Sequence, residues 1–119
     1  MKLYHYTCGH TLKVVGRRGM LRPSPTFWGG TPLLWLTPQF EPDRVGLGLT
    51  SQILACDRLD YRYLVEDDAE PWLESAIRLA APLAAIAALE HIEGARPDTW
   101  FVRSASTLGV LDRRYGRAA

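Results

Sequence analysis

Apolar and polar positions along this chain alternate in short runs near the start and in the middle, and merge into one apolar block after residue 70. Lys2–Thr7 (KLYHYT) is aromatic and alternating, which predicts a strand with Leu3, His5 and Thr7 on one face and Tyr4 and Tyr6 on the other. Residues 8–21 (CGHTLKVVGRRGML) predict a turn and then a short helix with Leu12 and Val15 inward, stopped by a left-handed Gly19. Arg22–Pro32 holds three prolines and two adjacent glycines and reads as a loop. Leu33–Thr37 (LLWLT), closed by Pro38, reads as a buried strand, and VGLGLT (45–50) as a weak one inside irregular chain. Leu59–Glu66 (LDYRYLVE) gives the clearest alternation, with Leu59, Tyr61, Tyr63 and Val65 opposite Asp60, Arg62 and Leu64.

Glu70–Glu93 has a helical composition; Pro71 suits its first turn, Pro82 kinks it or starts a second helix, and Gly94 and Pro97 end it. Thr99–Ser106 and Leu108–Asp112 are the last strand candidates. Strands and helices do not alternate regularly. The expectation is therefore an α+β fold, one small domain over residues 1–119 with a mixed or mostly antiparallel sheet.

Composition narrows the function classes. A chain of 119 residues, 47% hydrophobic and 23% charged, suits one globular domain with a real core. A net charge of +1 gives no global field toward nucleic acid or acidic membranes. Arginine greatly outnumbers lysine, which reads as a base-composition habit of the source genome before phosphate recognition. Two cysteines are too few for a disulfide framework. Tyr4, His5 and Thr7 interrupt any signal-peptide run, and Leu79–Leu89 is too short to span a bilayer and contains a proline. The expectation is a cytoplasmic protein with no membrane partner.

The chemistry-bearing residues cluster at LYHYTCGH (3–10). His5, Cys8 and His10, with Cys56 or His91, have the right donor types for zinc, but no CxxC or HxxxH spacing is present, so no metal site is expected. Cys8 with His5 or His10 makes a conceivable thiolate–imidazole pair without any local protease signature. A nucleotide site has more support. If the strands of His5/Thr7 and Trp35/Thr37 are sheet neighbours, an imidazole, two hydroxyls and an indole line one cleft, able to bond ribose and amide groups and stack on a flat ring. No GxGxxG or Walker sequence occurs. The competing reading is a core in which these aromatics only pack. Arg17–Arg18 and the C-terminal DRRYGRAA read as solvated surface, whereas Arg62, inside a strand, faces outward or partners an acid or phosphate in a cleft.

LYHYT, the "Leu-x-Pro-Ser" exit after RGM, and LLWLT together resemble the opening of ADP-ribosyltransferase-like proteins, among them DNA-targeting toxins, RNA 2′-phosphotransferases and small bacterial and phage proteins. The resemblance covers about the first third of the chain. It implies an ADP-ribosyltransferase-like fold and NAD as ligand, with His5 on the adenosine ribose, Thr7 beside it, and Trp35 stacking on nicotinamide. It also implies oxocarbenium-like cleavage of the nicotinamide–ribose bond, with a carboxylate on the ribose 2′-hydroxyl and a nucleic-acid or protein acceptor. Glu66 and Asp98 are the candidates for that carboxylate, and Thr37 and Arg62 complete the expected cofactor-binding set. The alternative is a non-catalytic interaction or inhibitory protein that retains the fold.

Overall fold

The computed structural model describes residues 2–41 and 61–114. They form two antiparallel sheets with helices: an α+β fold. The first sheet holds β1 (Leu3–Thr7), β2 (Arg18–Leu21), β4 (Tyr61–Val65) and β7 (Thr107–Arg114) in the order β1-β4-β7-β2. The second holds β3 (Leu34–Leu36), β5 (Glu70–Pro71) and β6 (Phe101–Arg103) in the order β3-β6-β5.

Alternation decides what each sheet buries. Leu3, Tyr63, Val65 and Leu21 point from the first sheet into one cluster with Leu34 and Leu36 of β3, so the two sheets share a core. The opposite face of the second sheet packs Leu33, Trp100 and Val102 against Trp72 and Ala76 of helix α2 (Trp72–Arg78). Helix α3 (Leu83–Glu90) follows after a break, with Pro82 at its N-cap and Ala80 at a φ of 52°. Pro82 therefore starts a second helix. Glu70 and Pro71, expected in a helical turn, instead pair with β6, because the residues flanking Trp72 must reach that strand for the indole to enter the core.

The region after β1 differs most from expectation. Helix α1 spans Gly9–Val15 and ends at Gly16, which takes the left-handed φ of 73° and donates its N–H to Leu12 O at 2.8 Å. The stop is Gly16, three residues before Gly19. RGML is a strand, β2, that local composition did not reveal; its cross-strand partners Thr107–Val110 lie almost 90 residues away. Leu12 and Val15 are only half-buried, although Val15 does pack on the shared core. Gly19 is required for space: a Cβ there would stand 2.5 Å from Val15 O. Gly19→Ala is thus expected to cost about 1–3 kcal/mol through forced movement of α1 against β2; a urea midpoint equal to wild type would contradict that packing.

LLWLT, LDYRYLVE, TWFVRSAS and LGVLD each contain the strand expected of them. VGLGLT, Leu59 and Asp60 lie outside the described residues. No helix among the described residues is long and apolar enough to cross a membrane.

Candidate functional site

Strand β1 passes through Cys8 directly into α1, so the last strand residue and the first helical turn face each other. Thr7 Oγ1 lies 2.7 Å from Thr11 Oγ1 as a result. Two residues earlier on the same face, His5 Nδ1 lies 2.8 Å from the backbone oxygen of Trp35. A carbonyl only accepts, so Nδ1 carries the proton and donates. These groups border a cleft of about 520 Å³ between β1, α1, the end of β2 and the start of β3.

The cleft's lining mixes polar residues, His5, Thr7, His10, Thr11, Arg22 and Ser24, with apolar ones, Val14, Val15, Met20, Leu33 and Leu34 among them. None of the described residues lining it is acidic, and Arg22, solvent-exposed, forms no ion pair among the described residues. The wall formed by α1 is anchored from beneath. Tyr63, on β4, donates its hydroxyl to Gly16 O at 2.7 Å, and burial, then the neighbouring Tyr61, push its phenol above the ordinary range, so it stays a neutral donor.

His5, Thr7 and Trp35, 30 residues apart at the extremes, do meet along this cleft. The strands that carry them are joined less closely than the sequence reading supposed. β1 pairs along its length with β4, and its link to β3 is the single bridge Tyr4–Thr37, two residues past the cleft. Trp35 lines the cleft, but its indole also packs on Trp72 (centroids 5.0 Å apart) and Trp100 (6.0 Å), so it belongs to the core as well.

Thr37 and Arg62 are not among the cleft's lining residues. Thr37 is buried, its backbone bridged to Tyr4 and its hydroxyl accepting from Gln39 N at 3.2 Å. Arg62 faces the other side of the first sheet, because it pairs across with Tyr6 and shares that residue's face. There it forms an ion pair with Asp112, donates to Phe40 O, and lies over the rings of Tyr4 and Phe40. The partner acid foreseen for Arg62 exists, but in a structural cluster.

The two candidate acids also lie elsewhere. Glu66, just past β4, borders a separate hollow of about 220 Å³ with Arg18, Leu64 and Val110. Asp98 is exposed in a 3-10 turn (Pro97–Thr99), its carboxylate 3.7 Å from Arg96. Among the described residues Glu70 is the carboxyl with a distinct shift: hydrogen bonds from Arg78 of α2 hold it, in β5, below the ordinary range. Among the described residues no three His, Cys, Asp or Glu side chains come together as a metal site. Cys8 Sγ is 3.3 Å from His10 Nδ1, His91 is exposed at the end of α3, and Cys56 lies outside the described residues.

No protein-family model matches this chain, and neither a curated protein nor a solved structure matches it significantly. The site must therefore be read from its own chemistry. Arg22 and Ser24 were missed in sequence because placing them needs β2, and Thr11 because its role shows only once β1 runs straight into α1. The one local signal was Thr7 and Thr11 four residues apart across a strand-to-helix junction.

Proposed function

We propose that the chain is an ADP-ribosyltransferase-like protein that binds NAD in the His5 cleft and passes ADP-ribose to a nucleic-acid or protein acceptor. The observation that carries this reading is the convergence of His5, Thr7 and Trp35 on one cleft, tied by the His5–Trp35 hydrogen bond. The residues suit such a ligand. Hydroxyls and an imidazole match ribose, Arg22 matches a phosphate, and the apolar lining residues match the face of a base. In the reaction, the ribose–nicotinamide bond breaks with its electron pair leaving on nicotinamide, and an acceptor oxygen or nitrogen attacks the ribosyl carbon.

A second reading, NAD binding without transfer, is favoured by the position of Glu66 and Asp98 away from the cleft. Nicotinamide release in the presence of NAD separates the two.

Binding comes first. NAD at a hundred times its dissociation constant is expected to add about 2.7 kcal/mol to stability, read as a rise in Tm. His5→Ala is expected to weaken NAD at least about tenfold, equivalent to roughly 1.4 kcal/mol, since both the imidazole and the tether to Trp35 are lost. A flat Tm across millimolar NAD, or equal affinity in His5→Ala, would count against this cleft.

A further inference from the structure

Two threonine hydroxyls bonded to each other hold two O–H donors and use one between them. Either oxygen is geometrically able to donate. Burial decides. Thr7 is 1% exposed, and its hydroxyl has no bonded neighbour among the described residues other than Thr11, so an O–H turned away from Thr11 would be an unsatisfied buried donor. Both threonines line the cleft, but Thr11 is half-buried there while Thr7 is almost wholly covered. The low-energy arrangement has Thr7 donating to Thr11 Oγ1, which leaves the Thr11 O–H as the donor that turns into the cleft.

From this we infer that Thr11 is a ligand-binding residue, donating to an acceptor oxygen of the ligand, and that Thr7 is a positioning residue acting through it. The inference rests on the NAD reading of the cleft and adds to it. NAD supplies acceptor oxygens on its phosphates and riboses, and a donor already polarised by a second hydroxyl binds such an oxygen more strongly than an isolated one. Neither hydroxyl ionises near neutral pH, so the pair keeps the same donors and acceptors there.

The test is a double-mutant cycle on the full chain, with NAD affinity from calorimetry and Tm of the ligand-free protein measured alongside. Thr11→Val keeps the shape and β-branching of the side chain and removes the hydroxyl. It is expected to weaken NAD roughly three- to tenfold. Thr11→Ser should restore most of the affinity. Thr7→Val is expected to weaken NAD less than Thr11→Val does, and the double variant no more than Thr11→Val alone, because the positioning effect has nothing left to act on. Strictly additive losses, or wild-type affinity in Thr11→Val, would overturn the inference while leaving NAD binding intact. Absence of NAD binding by the wild-type chain would remove the reading beneath it. A loss matched by an equal fall in the ligand-free Tm and not rescued by serine would mark the pair as structural only.

Discussion

Trp72→Ala is expected to cost about 3–5 kcal/mol of folding stability, the range for truncating a buried large aromatic. Trp72 is 1% exposed at the start of α2, its indole against Trp28 (centroids 5.7 Å apart) and Trp35 (5.0 Å), and its backbone N–H donates to Trp100 O at 2.9 Å. It is the body around which the second sheet and α2 close. Domains of this size are stable by about 5–15 kcal/mol, so the loss takes a large share of the total. Trp72→Phe should cost much less, because the indole Nε1–H is buried without a bonded partner among the described residues and phenylalanine removes that liability with part of the volume. The truncation also reaches the cleft. Trp35 leans on Trp72, and the Trp35 carbonyl holds His5, so NAD affinity should fall even under conditions where the variant remains folded. Urea unfolding followed by circular dichroism measures the first effect; a midpoint shift worth under about 1 kcal/mol would show that the cluster collapses around the gap.

Arg62→Ala is the second large effect, about 3 kcal/mol. Arg62 is 2% exposed, and the register of β4 with β7 shows how its guanidinium is served. Arg62 faces Arg113 and Tyr63 faces Leu111, so Asp112 bulges out of the ladder with its carboxylate on Arg62. Truncation removes that pair, the hydrogen bond to Phe40 O and the stacking over Tyr4 and Phe40 together. Tyr6 holds the same stretch of chain, its hydroxyl donating to the Gln39 and Phe40 oxygens, both at 2.9 Å. Asp112→Asn keeps an acceptor and is expected to cost about half as much. The loss in Arg62→Ala should persist in large part in 0.5 M salt, since the buried guanidinium also loses its hydrogen bond and ring contacts, which salt screens little, while Asp112 is a third exposed. NAD affinity should stay near wild type, because Arg62 is on the face away from the cleft; a specific loss of NAD binding in a folded Arg62→Ala protein would return Arg62 to the ligand.

The sequence determined what short-range pattern can carry. Alternation in KLYHYT and LDYRYLVE placed His5 and Thr7 on one face, and Tyr6 and Arg62 on others, through the period of two alone. Pro82 divided the helical stretch because proline lacks an N–H, whereas α3 ends earlier than Gly94 foretold, at Glu90 with His91 as its cap. The strand content and the absence of regular βαβ alternation gave the α+β class.

Only the tertiary structure decided which strands are neighbours. RGML has the composition of a helix end, and it became β2 because β7 offers a partner strand, the missing side chain of Gly19 lets α1 lie close, and Gly109 of β7 leaves space for Leu21. That one strand brings Arg22 and Ser24 to the cleft, which no local window contains. Arg62 and Thr37 left the site for the same kind of reason: a face is fixed locally, but what covers it depends on contacts far apart in sequence. Residue types thus named the cleft's first members, His5, Thr7 and Trp35. Long-range pairing chose their company, because loop closure and shared burial are settled by the whole chain at once.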